Sequence, residues 1–198
     1  MQLPLDCARL LTIGAMKTTF RSFGSPRFRA GWFWLLTGLV AGIAFAGGKP
    51  VPARLLAGLI YGGPCPTVQA EGDARTGSLV FADREYSFAS LPSALEGADH
   101  ILTSNSDKYY IATNLLEFSV KSNALVSVAH DNRVERPAWL TNQFKPTDLT
   151  VRVEGAPLRV FQHFATPGEH LVLGENVAVP DGRPCLMYLV FVNPAPRR

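Results

Sequence analysis

The sequence predicts an all-β protein, a single antiparallel β-sandwich preceded by a signal peptide. From Ser78 onward, short apolar runs are separated by turn residues at roughly 8–12-residue spacing, which is typical of a sandwich or a barrel. Several of these runs alternate apolar and polar residues, as half-buried strands do. No window after Ala46 carries the i, i+3, i+4, i+7 pattern of an amphipathic helix.

The first 46 residues have the layout of a secretory signal peptide. Basic residues precede a 15-residue apolar run from Trp32 to Ala46, and small residues stand at Ala44 and Ala46, where cleavage is expected. A stable membrane span needs about 20 apolar residues, so we expect membrane contact only through this leader, if it stays uncleaved. Met16 is an alternative start, because residues 1–15 add nothing to the layout.

A second, weaker cleavage position follows Ala70, after a short Gly-rich apolar stretch. Either position predicts a secreted or periplasmic protein of the cell envelope. The leader holds five Lys and Arg residues against one Asp, whereas residues 47–198 hold fourteen basic and fifteen acidic side chains, a net charge of −1. The overall pI of 8.9 therefore belongs to the leader. We expect no nucleic-acid partner, because phosphate binding needs several clustered cations.

Two cysteines, Cys65 and Cys185, remain if the leader is removed after Ala46. Two cysteines in an oxidising compartment are more often paired than not. The sequence therefore predicts a disulfide that ties the N-terminal lead to the last strand. A CxxC redox or zinc motif is excluded, because no two cysteines are close in sequence.

The predicted elements follow in order along the chain. Residues 47–77 are rich in Gly, Pro and Ala without a clean period, and are predicted to be a lead or linker. The sandwich spans 78–193, and 194–198 form a tail. The predicted strands are 79–82, 86–89, 115–120, 125–130, 149–153, 158–165, 170–173 and 185–192.

Two of these runs also predict where their strands lie. The run 115–120 alternates strictly, so one of its faces belongs to the core. The run 185–192 is apolar on both faces, which predicts a central strand rather than an edge. Helix signals are limited to single turns at 92–97 and 137–140.

Between residues 79 and 192 the chain carries an ordered set of short motifs: Asp83-Arg84-x-Tyr86-x-Phe88, Leu91-Pro92-x-x-Leu95-x-Gly97, Asp107-Lys108, Val126-x-Val128-Ala129-His130-Asp131-x-Arg133, Pro137-Ala138-Trp139-Leu140 and Leu173-Gly174-x-Asn176. This set resembles a small β-sandwich accessory module of secreted bacterial proteins, found beside polysaccharide lyases, glycoside hydrolases and other cell-surface domains. The resemblance implies a non-catalytic, carbohydrate-associated role. The large enzymatic neighbour usual for such modules does not occur in these 198 residues, so we expect this copy to act alone or through a partner.

The densest polar cluster is the candidate binding site, for a polysaccharide or a cell-surface protein. A sugar face stacks on an indole while Asp, Asn and Arg side chains bond its hydroxyls, and Trp and Arg are enriched at binding sites. The structural alternative is that the tryptophan plugs one end of the sandwich while Asp131 and Arg133 form an internal ion pair or cap backbone groups. The candidate ligand-binding residues are Trp139, Asp131, Arg133, His130 and Arg136.

Two other functions remain open from the sequence. One is a small envelope enzyme acting on polysaccharides, with Asp83, Glu117 or Asp131 working beside His130. Glycoside hydrolysis needs two carboxyl groups fixed a few ångströms apart, and the spacing selects no such pair, so no catalytic residue is assigned. The other is a structural envelope subunit that pairs through an exposed strand edge. A structural interpretation of Asp83 pairs it with Arg133.

No cofactor or metal is expected. The histidines His100, His130, His163 and His170 form neither HxH nor HExxH. The chain has no G-x-S-x-G nucleophile motif. The Asn- and Asp-containing turns lack enough anionic ligands at loop spacing for calcium.

Overall fold

The computed structural model describes residues 50–177 and 182–196. Within them the chain forms ten β-strands and one short α-helix, so the predicted all-β class is confirmed. The leader and its predicted cleavage position after Ala46 lie outside the described residues.

The strands and the helix follow the chain in this order: β1 (Leu56–Tyr61), β2 (Gln69–Glu71), β3 (Phe88–Ser90), β4 (Asp99–Leu102), β5 (Leu116–Val120), β6 (Ala124–Asp131), α1 (Ala138–Gln143), β7 (Lys145–Val153), β8 (Ala156–Ala165), β9 (His170–Leu173) and β10 (Leu189–Pro194). Single 3-10 turns lie at Ser93–Leu95 and Asn105–Asp107. None of the described helices is long and apolar enough to cross a membrane.

The strands form two antiparallel sheets. The larger has seven strands in the order β2-β4-β10-β6-β8-β7-β3, and the smaller has three in the order β1-β5-β9. In β5, alternate side chains from Leu116 to Val120 are fully buried while those between them are half-buried. This alternation is what a strand with one core-facing side requires. β10 lies between β4 and β6 with four consecutive buried apolar residues, as its two-sided apolar sequence predicts.

A buried carboxylate joins β4 of the larger sheet to β1 of the smaller one. Asp99 is 4% exposed, and one oxygen of its side chain accepts hydrogen bonds from the backbone N–H groups of Arg54 and Leu55, at 2.7 and 2.5 Å. The N–H of Leu56, the first residue of β1, lies 3.3 Å from the same oxygen. The carboxylate thus satisfies donors that precede the first sheet pairing of β1.

The described part of the predicted lead, residues 50–77, contains β1 and β2. The pairing of β1 with β5 shifts register between Ala57 and Ile60. Gly58 lies in this interval with φ +61°, a conformation that glycine adopts without strain. The bulge interrupts the alternation of side chains, which is why the sequence of this strand shows no clean period.

The predicted disulfide between Cys65 and Cys185 is absent from the structure, although both residues are buried. The two sulfurs face different polar groups. Cys65 Sγ lies 3.2 Å from the Thr67 hydroxyl, and Cys185 Sγ lies 3.8 Å from the amide nitrogen of Asn176. Each cysteine therefore fills a small buried space, which is the common structural role of this residue.

Candidate functional site at the polar end of the sandwich

The residues predicted as a binding site lie together at one end of the sandwich. Three contacts join the segments that build this end. The side-chain amide of Asn176 donates to the carbonyl of Lys108 at 3.3 Å, the Leu186 N–H donates to Asp131 at 2.8 Å, and the Trp139 indole N–H donates to Glu175 O at 2.9 Å. We call this region the polar end and define it as residues 105–114, 130–139, 174–177 and 182–188.

Asp131 and Arg133 form an ion pair that is anchored from inside. The Asp131 side chain is fully buried and the Arg133 side chain is 45% exposed, with Nη2 and Oδ2 2.6 Å apart. Arg133 also donates from Nε and from its backbone N–H to the same carboxylate, each at 3.0 Å to Oδ1. Although burial opposes ionisation, these bonds hold the pKa of the Asp131 carboxyl below its usual value. This is the internal ion pair that the structural interpretation of the sequence predicts, and the Arg133 side chain is still partly exposed to solvent.

Three buried side chains hold the backbone just before β10. Asp131 accepts from Leu186 N–H at 2.8 Å, Asn105 accepts from Met187 N–H at 3.0 Å, and Asn176 accepts from Tyr188 N–H at 2.9 Å. The backbone N–H groups of residues 186–188 therefore have acceptors although this segment belongs to no sheet ladder. The sequence predicts a strand from residue 185, whereas sheet pairing begins at Leu189.

Asn176 has the most partners in this region and is completely buried. Its side-chain nitrogen donates to the carbonyls of Leu186 and Lys108 at 3.1 and 3.3 Å, and its own backbone oxygen lies 2.9 Å from Nε2 of His130. His130 is 1% exposed, so it does not reach solvent as a ligand would require. Burial lowers the pKa of His130, and the bond to Asn176 together with the nearby Asp131 charge partly opposes that effect.

Trp139 is partly buried against the core. Its ring makes edge-to-face contacts with Tyr188 and Phe144, with ring centroids 5.3 and 6.1 Å apart. The ring lies so close to Gly174 that a Cβ atom there would stand 2.8 Å from Cδ1 of the indole. Trp139 is therefore partly exposed, and its ring is packed against the core.

The outer surface of the polar end includes exposed aromatic, aliphatic and basic side chains. Tyr110 and Ile111 are 42% and 52% exposed. Lys108 places its Nζ atom 5.1 Å from the centre of the Tyr109 ring, and the Tyr109 hydroxyl donates to the carbonyl of Arg183. Residues 108–111 precede β5 and lie outside the predicted cluster.

Arg136, the remaining predicted site residue, is exposed and lies over a core aromatic ring. Its guanidinium carbon is 5.2 Å from the centre of the Phe161 ring, which is 2% exposed. The contact is a cation–π interaction that covers the core at this edge.

Asp83 does not pair with Arg133 as predicted. Its carboxylate accepts from the backbone N–H groups of Asn105 and Ser106 at 2.8 and 2.9 Å, and Arg84 lies 3.9 Å away. Burial alone would raise the pKa of this carboxyl, but these bonds and the Arg84 charge lower it. Arg133 instead forms its ion pair with Asp131, which lies two positions before it at the end of β6.

Glu117, the third carboxylate considered for catalysis, lies on the outer face of the smaller sheet. His170 Nε2 is 3.0 Å from Glu117 Oε2, and the hydroxyl of Ser119 is 3.5 Å from His170 Nδ1. Hydrogen bonds from His170 and from Asn114 lower the pKa of Glu117. The three candidate carboxylates Asp83, Glu117 and Asp131 are therefore each engaged with a different set of partners.

A separate open cleft of about 370 Å³ is lined by Asp73, Arg75, Thr76, Glu96 and Gly97. Asp73 and Arg75 form an exposed ion pair at 2.9 Å across it. Within residues 50–177 and 182–196, no three His, Cys, Asp or Glu side chains are grouped as a metal site.

The sequence missed Asn105, Asn176 and the Lys108–Tyr110 surface. Asn105 and Asn176 read as ordinary turn residues, because their partners lie far away along the chain. Met187, for example, is 82 residues from Asn105. The available signal was the apolar run beginning at residue 185, whose backbone donors need buried acceptors wherever a neighbouring strand is missing.

Part of this chain is similar in sequence and in structure to known proteins. No protein-family model matches the chain. A β-glucuronidase of Formosa agariphila is 33% identical over 117 residues, which are 59% of this chain and 12% of that protein. A solved β-glucuronidase from glycoside hydrolase family 2 aligns with a TM-score of 0.64 and 30% identity, over 69% of this chain and 14% of that one.

This chain is therefore similar to a β-sandwich segment of glycoside hydrolase-related proteins, and it spans about an eighth of the curated relative that it matches. The similarity supports the carbohydrate-related character that the motif resemblance implies, whereas the accessory role stays a prediction.

Proposed function

We propose that this domain is a non-catalytic module that binds glycan through its polar end. The observation that carries the proposal is the juxtaposition there of exposed aromatic rings with a fixed cation, in a fold shared with a glycoside hydrolase-related segment. Aromatic faces stack on sugar rings, while charged and amide groups bond sugar hydroxyls. Tyr110 and the partly exposed Trp139 supply the rings, and Arg133 supplies the cation.

The engagement of the carboxylates supports binding without bond cleavage. A glycosidase needs one carboxyl group to give a proton and a second to act as base or nucleophile, a few ångströms apart. Asp131 is buried in its pair with Arg133, Asp83 accepts two backbone N–H groups, and Glu117 lies with His170 on another sheet.

An exported location is part of the proposal, since polysaccharides of this kind lie outside the cytosol. Cleavage after Ala70 would remove β1 and divide β2, whereas cleavage after Ala46 leaves the described strands whole. We therefore expect the N-terminal residue of protein recovered from the producing cell's envelope fraction to be Gly47. Recovery from the cytosol with the leader intact would contradict export.

Binding is tested on an array of plant, algal and bacterial cell-wall polysaccharides. We expect retention on at least one polysaccharide, and about a fivefold loss of affinity for Tyr110→Ala, because an aromatic contact contributes about 1 kcal/mol. Phe164→Ala is the matched control: Phe164 is 49% exposed and lies on β8 at the opposite end of the β6–β8 pair. Retention on no polysaccharide, or equal losses for the two variants, would contradict the proposal.

A further inference from the structure

The polar end holds equal numbers of cationic and acidic side chains, but its exposed surface is positive because two of the acids are buried. Its described residues hold four cations and four carboxylates. Two of the carboxylates are turned inward, because Asp107 and Asp131 are 6% and 0% exposed and accept hydrogen bonds from buried backbone groups. Glu135 and Glu175 are the acids that remain outside. The cations Lys108, Arg133, Arg136 and Arg183 all keep side-chain surface in solvent.

Two of these cations lie beside one small buried cluster. Tyr109 packs against this cluster, which contains Val134 and Cys185, and Lys108 places its Nζ atom 5.1 Å from the centre of the Tyr109 ring. Arg133 directly precedes Val134 in the chain. Lys108, Tyr109 and Arg133 therefore belong to one region of the surface, next to the buried Cys185.

Both cations keep hydrogen-bond donors for a ligand. Within the described residues, Asp131 accepts the Nε–H and one Nη2–H of Arg133, so it engages two of the five guanidinium N–H donors, and the Arg133 side chain is 45% exposed. Lys108 gives one donor to the carbonyl of Asn105 at 3.3 Å and keeps two. A guanidinium already fixed by a buried carboxylate loses little conformational entropy when it binds an anion.

We propose that Lys108, Tyr109 and Arg133 form a subsite for an anionic group on a glycan, either a carboxylate or a sulfate ester. The inference rests on the proposed function and deepens it, because it makes acidic polysaccharides the preferred ligands. A planar carboxylate or a sulfate oxygen pair matches the free edge of Arg133. The Tyr109 ring provides an apolar face for the sugar that carries the anion. The net charge of −1 for residues 47–198 gives the domain no general attraction to polyanions.

The test uses two matched pairs of polymers and the purified full chain. Dextran sulfate is compared with dextran, and polygalacturonate is compared with its methyl ester, so that each pair differs only in charge. We expect at least tenfold tighter binding to the charged member of one pair, weakening as salt is raised from 50 to 500 mM. The pair that responds identifies sulfate or carboxylate as the recognised group.

Two lysine variants locate the effect. Lys108→Gln should weaken binding to the charged polymer about fivefold, in line with a partly exposed ion pair. Lys121→Gln removes the same charge at the turn before β6, at the other end of that strand from Asp131, and should change nothing. Arg133→Gln should weaken binding at least as much, and its thermal unfolding is followed in parallel because Asp131 loses a partner. Lys108→Gln keeps the test decisive if Arg133→Gln does not fold.

The possible outcomes distinguish failure of the anionic subsite from failure of glycan binding in general. Equal affinity for charged and neutral polymers would overturn the anionic subsite while leaving glycan binding standing. Equal losses for Lys108→Gln and Lys121→Gln would also overturn it, because binding would then follow net charge. Binding to none of the four polymers overturns the subsite, and the proposed function itself fails only if the wider polysaccharide array is also negative.

Discussion

The two halves of the final apolar run are held in place in different ways. Residues 189–194 form β10, and their backbone pairs with β4 and β6 on its two sides. Residues 185–188 continue the same run, but side chains from three separate segments take their N–H groups. An apolar run therefore predicts that its residues are buried. Whether its backbone bonds to strands or to side chains depends on whether a neighbouring strand is present. A strand ladder distributes the bonds over many residues, while the side-chain arrangement concentrates them on three.

The largest effect is expected for Asn176→Ala. This change removes the acceptor for Tyr188 N–H and the donor to Leu186 O inside the protein. Buried groups left without partners cost about 1–3 kcal/mol each, so the free energy of unfolding should fall by about 3–4 kcal/mol in urea denaturation. Asn142→Ala, on the exposed side of α1, is the control and should stay within about 0.5 kcal/mol. Similar values for the two variants would show that the side chain of Asn176 does not hold the segment.

Asn105→Ala should lower the free energy of unfolding by about 2 kcal/mol, because it leaves the Met187 N–H without an acceptor. Hydrogen exchange sharpens the comparison between the two halves. The Met187 amide should exchange much faster in this variant, whereas the Val190 amide in β10 should keep its protection. Equal acceleration at both amides would mean that the two halves open as one unit.

Gly174→Ala tests how tightly Trp139 is packed at the polar end. The new Cβ would stand 2.8 Å from the indole ring and 3.3 Å from the Ala112 carbonyl. Overpacking of this kind costs about 1–3 kcal/mol. The double variant Gly174→Ala with Trp139→Phe should recover part of the loss, because the smaller ring makes room. Additive losses, measured by urea denaturation of all three variants, would contradict direct contact.

The smallest expected effect is a dependence of the free energy of unfolding on pH, which two buried histidines cause. Burial lowers the pKa of His130 at the polar end and of His100 in β4. The unfolded chain takes up these protons near pH 6.5 while the folded chain does not. The free energy of unfolding should therefore fall as the pH drops below about 6.5, and should level off below the folded pKa values.

His130→Gln identifies the share of this slope that belongs to the polar end. The variant should flatten the dependence between pH 7 and pH 5 without abolishing it, because His100 remains. Denaturation midpoints measured across this range provide the check. An unchanged slope would mean that His130 takes up its proton over the same pH range in the folded and the unfolded protein.

Regular alternation made part of the fold predictable. β5 was predicted nearly to its ends because one of its faces is apolar and the other polar, and β8 because its apolar run lies between two turns. β4 was not predicted, since Asp99 and His100 are buried there to bind other segments, and their polarity hides the strand. β1 was not predicted because of its bulge at Gly58. In both cases a tertiary contact overrides the local pattern.

The candidate site was predictable where its residues are contiguous. His130, Asp131 and Arg133 stand together in the sequence, and the structure keeps Asp131 and Arg133 paired. The sequence does not reveal that His130 faces inward, because its partner is a backbone oxygen contributed by Asn176. Nor does it show that the solvent side of the site is built by Lys108 and Tyr110, which only the fold brings to the same end.

The position of β10 has a consequence for biosynthesis. It is the last described strand to leave the ribosome, yet it lies inside the larger sheet and separates β2 and β4 from β6, β8, β7 and β3. Until it is synthesised, β4 and β6 each lack a neighbour on the side where β10 pairs. The domain is therefore expected to complete its larger sheet only after residue 194 has been made, so that the pairing of β4 is among the last steps of folding.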